Sequence, residues 1–347
     1  MRICICDAQV PFARGGAELL VATLRDELAA RGFEADVVTL PFNWPTRVDL
    51  LRGCLAWRLI DLTDAAEKKI DRVIATRFPS YLVRHPHKIV WLVHQLRQVY
   101  DLFGTTYSDF STQPRDRRVM EMVQAMDRRS LSEARALFTI SHNVAARLRR
   151  SNQLAGRVLY PPPRLEPAYH TGEFGDYVFT AGRLDTLKRL DLLVRAMQYT
   201  ETPVRCRIAG TGPEREALGE LAQRLGVGGP GGKVELLGWV DERDLIELYA
   251  GSCGVFYAPY DEDYGYVTVE AFKAGKPVVT AADSGGVLEL VEDGVNGFVC
   301  APDAPREIAA HCDRLFRDRA AARAMGEAGR AQVAAIDWDH VIAELTA

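Results

Sequence analysis

Residues Tyr257 to Thr280, YAPYDEDYGYVTVEAFKAGKPVVT, read as strand, loop, helix, turn and strand. Val255 to Ala258 is a short apolar run that favours β structure, and Tyr260 to Tyr264 is an acidic loop. Val267, Ala271, Phe272 and Ala274 recur at helical spacing, which predicts a helix over Tyr266 to Ala274. Gly275 stands where a helix C-terminal glycine belongs, and Pro277 follows it into the next strand, Pro277 to Thr280. A strand–helix–strand unit of this kind belongs to a parallel, doubly wound α/β sheet.

Two carboxylates bracket the unit: Glu262 in the loop and Glu270 eight positions on, in the helix. Between them Tyr264, Gly265 and Tyr266 fall at the helix start, where unpaired N–H groups and the helix dipole favour an anion such as a phosphate. Gly265 lets backbone approach a ligand closely. The stretch therefore offers N–H donors for a diphosphate and two carboxylates that accept from hydroxyl groups. Taken alone, a Glu pair at this spacing also fits a solvated helix face.

Glu262-x7-Glu270, followed by Ala-x-x-x-Gly-x-Pro-Val-Val, resembles the signature of the retaining, family-four-type glycosyltransferases of the GT-B fold. The resemblance implies that Glu270 binds the nucleotide ribose, that Glu262 contacts the donor sugar, and that the backbone of Tyr264, Gly265 and Tyr266 meets sugar or diphosphate. Tyr264 stands where that family usually has Phe. Asp261-Glu262-Asp263 can also be read as Asp-x-Asp, the metal site of the other glycosyltransferase fold, with hard oxygen ligands for Mn²⁺ or Mg²⁺. The remaining motifs follow the GT-B pattern, so neither a metal nor a cofactor is expected.

At 347 residues with 48% hydrophobic content, the chain is long enough for two domains. Its seven cysteines are scattered without pairable spacing. Met1 leads directly into the strand RICICD, and no apolar run approaches the ~20 residues of a spanning helix. Reduced thiols, no targeting segment and a cytoplasmic location are the expectations. The net charge of −4 points to no nucleic-acid partner, but it is unevenly placed. Residues 1–165 hold 25 Lys and Arg against 17 Asp and Glu, and the rest 18 against 30. A basic first half suits an anionic acceptor, such as a lipid-linked phosphate, or peripheral contact with a membrane surface. Solvated helix faces, Arg128-Arg129 and Arg149-Arg150 among them, are the preferred account of it.

The first half begins with a strand, Arg2 to Asp7, a loop containing Gly15 and Gly16, and a helix from about Ala17 to Arg31. Strand, Gly loop and helix form a phosphate cradle; the alternative is a tight turn. Gly15-Gly16 is not the full dinucleotide fingerprint, which disfavours a dehydrogenase. Ile89 to Val93 is apolar enough for a buried parallel strand, and His94 stands at its C-terminal end, where α/β folds place ligands. The resemblance puts His94 near the donor sugar and the reaction centre, and Gly15 and Gly16 towards the donor phosphates or the acceptor. Arg97 and Tyr100 are candidates for the acceptor pocket, and the polar run from Asp101 to Arg118 for a mobile acceptor loop. His142 and Asn143, after Ser141, are further candidates on the family pattern.

Pro161-Pro162-Pro163 ends that pattern, and residues 164–176 are expected to be a linker. Strand and helix then alternate again. In AGRLDTLKRLD, Gly182 lets the chain turn while Arg183 and Lys188 supply two cations. A departing diphosphate gains negative charge, which positioned cations stabilise. In the resembled family the Arg and Lys of this motif do so without an obligatory metal. Gly210 and Gly212, before Pro213, match that family's glycines near the nucleotide. Trp239-Val240 matches its backbone contact to the base, and Gly285-Gly286 a further loop.

The expected architecture is α/β, two Rossmann-like doubly wound domains facing across a cleft (GT-B). Residues 1–163 form the acceptor-binding domain and 177–334 the nucleotide-sugar-binding domain. Residues 335–347 form a helix crossing back to the first. The implied function is retaining transfer from a nucleoside-diphosphate sugar, UDP-sugar favoured, to a sugar, lipid-linked or other hydroxyl acceptor in polysaccharide or glycoconjugate synthesis. Alternatives are a sugar-nucleotide epimerase of the same fold and a non-catalytic nucleotide-sugar-binding subunit.

Overall fold

The structure, a computed structural model, describes residues 1–12 and 15–347. The chain divides into two compact units, Met1–Arg164 with Asp337–Ala347, and Leu165–Ile336.

In the first unit, strands β1 (Arg2–Gln9), β2 (Glu34–Pro41), β5 (Arg72–Ala75), β6 (Lys88–Leu92), β7 (Ala136–Thr139) and β8 (Arg157–Val158) form a sheet ordered β2-β1-β5-β6-β7-β8. Every pairing in it is parallel. A short antiparallel hairpin, β3 (Asp64–Ala65) with β4 (Lys68–Lys69), lies outside it. All five residues of β6 are buried, as a central parallel strand covered on both faces requires. The helix Gly16–Ala30 buries Leu20, Leu24 and Leu28, one stripe at i, i+4 spacing. The last helix, Trp338–Thr346, belongs to this unit. Its Asp337 cap accepts from the His340 N–H at 2.8 Å, and Trp338 packs edge-on against Trp91 at 6.3 Å. Arg72 donates to the Leu345 carbonyl at 2.7 Å.

In the second unit, β9 (Tyr177–Ala181), β10 (Arg205–Ala209), β11 (Val234–Gly238), β12 (Gly254–Phe256), β13 (Val278–Ala281) and β14 (Gly297–Cys300) pair in the order β11-β10-β9-β12-β13-β14. Counted within the unit this is 3-2-1-4-5-6, the Rossmann order, and every pairing is parallel. The direction in which successive strands are added reverses between β9 and β12. In an open α/β sheet a ligand lies beyond the carboxyl ends of the strands at that switch point. The loops leaving β9 and β12 there are 182–189 and 257–265.

The segment expected to be a linker differs from that expectation: 165–176 packs onto the second unit. The Gly175 N–H donates to the Gly251 carbonyl at 2.9 Å, and Lys276 donates to the Gly172 carbonyl at 3.3 Å. Lys276 Nζ also sits 3.5 Å from the centroid of the Phe174 ring. The composition of 164–176, polar and glycine-containing, hid this, because its partners, Lys273, Lys276, Glu247, Tyr249 and Gly251, lie far away in sequence. A Cβ on Gly175 would lie 2.4 Å from the Gly251 carbonyl oxygen. Gly175→Ala is therefore expected to destabilise the second unit by about 1–3 kcal/mol, the usual cost of overpacking. Urea unfolding of the full chain checks this, and an unchanged midpoint would restore the linker reading.

Candidate functional site

The loop leaving β9 carries Gly182, Arg183 and Lys188. Gly182 has φ +146° and donates its N–H to the Ala209 carbonyl at 3.0 Å. The Arg183 side chain is 55% exposed, with its Nε 4.0 Å from Asp185. Lys188 ends a 3₁₀ turn and donates to Glu262 Oε2 at 2.6 Å and to the Tyr257 hydroxyl at 3.2 Å. Burial pulls the Lys188 pKa down. The Glu262 carboxylate and the Tyr257 oxygen more than reverse that, so it stands above the ordinary lysine value. Lys188 is thus a fixed cation. Burial, then Glu262, raises the Tyr257 phenol and keeps it protonated.

The loop leaving β12 presents Glu262 because its backbone pairs with the loop after β13. Asp261 N–H donates to Asp283 O at 2.9 Å, Glu262 N–H to Ser284 O at 3.2 Å, and Gly286 N–H to Glu262 O at 2.7 Å. A Cβ on Gly285 would lie 2.6 Å from the Glu262 carbonyl oxygen, and one on Gly286 2.5 Å from that of Asp263. Gly265 then enters the helix Tyr266–Lys273 at φ +89°, and no side-chain hydrogen bond caps this helix among the described residues. The positive end of the helix is therefore directed into the same loop cluster. Tyr264 and Tyr266 meet edge to face at 5.5 Å. Glu270, on the second turn, accepts from the buried Tyr249 hydroxyl at 2.7 Å, which fixes its carboxylate.

Gly210 and Gly212, placed near the nucleotide by the resemblance, pack closely against the loop after β9. A Cβ on Gly210 would fall 1.8 Å from the Gly182 carbonyl oxygen, and one on Gly212 2.2 Å from that of Leu184. The two glycines seat the loop that carries Arg183. Val240 is half-buried beside Trp239, which is 77% exposed, and just before Asp241, the cap of the helix Glu242–Ala250. Asp263 is buried, and the one trio among the described residues with metal-ligand spacing is elsewhere, at Cys300, Glu307 and His311.

Sequence reasoning missed four residues of this cluster. Tyr257 and Tyr249 carried no motif of their own. Arg189 donates through both terminal nitrogens to Asp283, at 2.8 and 2.6 Å, and also bonds the Ala258 and Pro259 carbonyls at 2.9 and 3.1 Å. The 94-residue separation of Arg189 and Asp283 hides the pair, although Asp283 directly precedes Ser284-Gly285-Gly286.

In the first unit His94 follows β6 and its Nδ1 hydrogen-bonds the Gln95 carbonyl at 2.9 Å. Gly15 is in extended conformation and its N–H donates to Glu18 Oε2 at 2.8 Å. Glu18 also pairs with Arg77 at 2.6 Å, and Arg77 grips Asp7 through two 2.9 Å bonds. The start of the helix Gly16–Ala30 thus holds a carboxylate of its own, the anion a helix N-terminus favours. Arg97 pairs with Asp101, which also pairs with the buried Arg147 at 3.0 Å. Tyr100 donates to the buried Asp127 at 2.7 Å and accepts from Asn152 at 3.2 Å. The run from Asp101 to Arg118 is tied down by Ser108 to the Gln98 carbonyl at 3.2 Å and by Arg47 to Asp116 at 2.9 Å. His142 starts the helix His142–Asn152 and lies edge-on to Tyr160 at 6.1 Å; Asn143 follows it in the first turn.

Residues 171–332 match the family described as Glycosyl transferases group 1. That match falls within the second unit, and the fold of the chain is GT-B. Over 180 residues, 46% of the chain, it is 34% identical to a D-inositol 3-phosphate glycosyltransferase of Nocardioides sp., covering 38% of that protein. The chain spans about two fifths of the length of the curated relatives it matches. Sucrose-phosphate synthase of Thermosynechococcus elongatus superposes with a TM-score of 0.79 at 18% identity, over 100% of this chain and 98% of that one. Anabaena HepE, solved with UDP and glucose, superposes with 0.74 at 20% identity, over 100% and 98%.

The Tyr100 network has a measurable consequence. Burial pushes the Asp127 carboxyl up to about 7, against the hydrogen bond from Tyr100 that favours its ionised form. A carboxyl raised from about 3.9 in the unfolded chain stabilises the fold fully at low pH, and this stabilisation is lost as pH rises towards 7. The loss is expected to approach about 4 kcal/mol at ~1.36 kcal/mol per pKa unit. Asp127→Asn keeps the acceptor for Tyr100 and removes the titration. Melting curves from pH 4 to pH 8 should fall more steeply for the wild type than for the variant; parallel curves would show that Asp127 stays ionised.

Proposed function

We propose that this protein is a retaining glycosyltransferase that moves a sugar from a nucleoside-diphosphate sugar to an acceptor hydroxyl. The observation that carries the reading is the 2.6 Å contact of Lys188 with Glu262 at the switch point of the second sheet. It sits beside the exposed Arg183 and the open start of the helix Tyr266–Lys273. A cation, a carboxylate and helix N–H groups at one strand edge are what a sugar diphosphate needs.

In this reading Glu270, held by Tyr249, accepts from the ribose hydroxyls. Glu262 accepts from the donor sugar, and the N–H groups of Tyr264 to Tyr266 receive sugar or diphosphate oxygens. The acceptor oxygen bonds to the anomeric carbon on the face from which the diphosphate leaves. The bond to the diphosphate oxygen breaks with its electron pair, and that oxygen takes the acceptor proton. Lys188 and Arg183 stabilise the charge that develops, so no divalent ion is assigned a part. His94 is assigned a supporting role at the reaction centre, near the donor sugar. UDP is the favoured nucleotide, in line with the UDP-bound state of the similar HepE. The acceptor class proposed is a polysaccharide or glycoconjugate hydroxyl in the cytoplasm.

Contact with an anionic membrane surface is part of the same reading. The helix Arg47–Leu59 exposes Val48, Leu55 and Leu59 together with Arg52, an apolar face carrying a cation. No helix among the described residues is long and apolar enough to cross a membrane.

A thermal-shift panel with UDP, GDP, ADP, CDP and NAD, each with and without EDTA, tests the assignment. A micromolar binder at millimolar concentration stabilises by about 4 kcal/mol. One nucleoside diphosphate is expected to raise the midpoint regardless of EDTA, and Glu270→Ala to abolish the shift. With that donor, Lys188→Ala is expected to slow transfer about 10²–10³-fold. A shift that needs metal would favour Asp261 and Asp263 as ligands, and a shift with NAD alone would overturn the reading.

A further inference from the structure

Arg189 directly follows Lys188, and its backbone is left-handed, φ +47° and ψ +41°. A residue with a Cβ adopts that conformation only where its surroundings enforce it. The side chain is 8% exposed, and its hydrogen bonds to Ala258, Pro259 and Asp283 reach other loops. Nε and one terminal nitrogen reach the Ala258 and Pro259 carbonyls, which precede Glu262. Both terminal nitrogens grip the Asp283 carboxylate in the loop after β13. That loop in turn pairs with the backbone of Asp261 and Glu262. One planar guanidinium therefore ties three loops together, and the fixed fork of arginine suits this where a lysine ammonium does not.

We infer that Arg189, through Asp283 and the Ala258 and Pro259 carbonyls, is the positioning residue that fixes Glu262 against Lys188. The inference rests on the glycosyl-transfer reading for its consequence in catalysis, but the clamp itself is independent of it. Arg189 touches no reacting atom. It holds the loop end from which Glu262 meets the donor sugar, so its loss acts on the sugar end of the donor more than on the nucleotide.

Two measurements on the full chain test this, with Arg189→Met, Arg189→Lys and Asp283→Asn. The first is ligand-free hydrogen exchange. Amides of 258–265 and 283–287 are expected to exchange at least tenfold faster in each variant, while those of β9 and β12 keep wild-type protection. Unchanged exchange in the two loops would overturn the inference. The second compares UDP with UDP-glucose, and GDP with GDP-mannose, in binding and in slow donor hydrolysis. Hydrolysis at saturating donor is expected to fall at least tenfold in Arg189→Met and Asp283→Asn, with bare nucleoside diphosphate affinity within about threefold of wild type. Arg189→Lys is expected to recover little, and the Arg189→Met/Asp283→Asn double variant to lose no more than the worse single one. Folded variants that turn donor over at the wild-type rate would reduce the clamp to a stability element. Faster loop exchange in a protein whose wild type takes none of these donors would retain the clamp and remove the glycosyl-transfer reading.

Discussion

The loops at the carboxyl edge of the second sheet rest on one another backbone to backbone. Gly210 sits where any side chain would strike the Gly182 carbonyl, Gly212 where it would strike Leu184, and Gly285 and Gly286 where it would strike Glu262 and Asp263. This close approach is the constraint on which the site depends. It brings a lysine from one loop and a glutamate from another, 74 positions away, to hydrogen-bonding distance without long side chains having to search for each other. The side-chain entropy lost on ligand binding is correspondingly smaller.

The electrostatics follow from that packing. Without a ligand, Lys188 is neutralised by Glu262 and Arg189 by Asp283. An unpaired cation in a half-buried loop cluster would cost several kcal/mol of desolvation. The pairing removes that cost while keeping the charges in place. In the proposed reading, a diphosphate arriving at Lys188 competes with Glu262, and a sugar hydroxyl offers the freed carboxylate a new donor, so that the two ends of a sugar diphosphate are matched to the two members of one ion pair. Arg183, half exposed and 4.0 Å from its nearest carboxylate, stays available as the second cation.

Most of the second unit was legible because its signals are local. Gly182, Arg183 and Lys188 lie within seven residues, and Glu262 to Glu270 within nine, so strand, turn and helix periodicity placed them on loops before any tertiary contact was known. What escaped was non-local. Arg189 reads as one more base beside Lys188, and only the fold shows that its partner is Asp283. Tyr249 reads as core, and it is buried, but its hydroxyl orients Glu270. The segment 165–176 reads as a linker because it is short and irregular, and the partners of Tyr169, Phe174 and Gly175 lie far away in sequence. Gly210 and Gly212 show a subtler limit: the glycines were found, and the neighbouring carbonyls that require them could not be.

The first unit was harder to read for a physical reason that charge counting conceals. Its surplus of basic residues suggests a surface made for anions, yet many of its cations are already taken. Arg77 is held between Asp7 and Glu18, Arg97 and Arg147 share Asp101, Arg47 lies against Asp116, and Lys88 is wholly buried against three carbonyl oxygens. Others reach solvent: Arg52 and Arg129 are 75% exposed and Arg157 66%, each beside a carboxylate of Asp49, Glu133 or Glu344. A basic count over a sequence window sums both kinds. Only the second kind acts on a partner, and of these Arg52 alone shares its helix with the exposed Val48, Leu55 and Leu59. Attraction to an anionic surface is therefore argued from that one helix face rather than from the charge of the half.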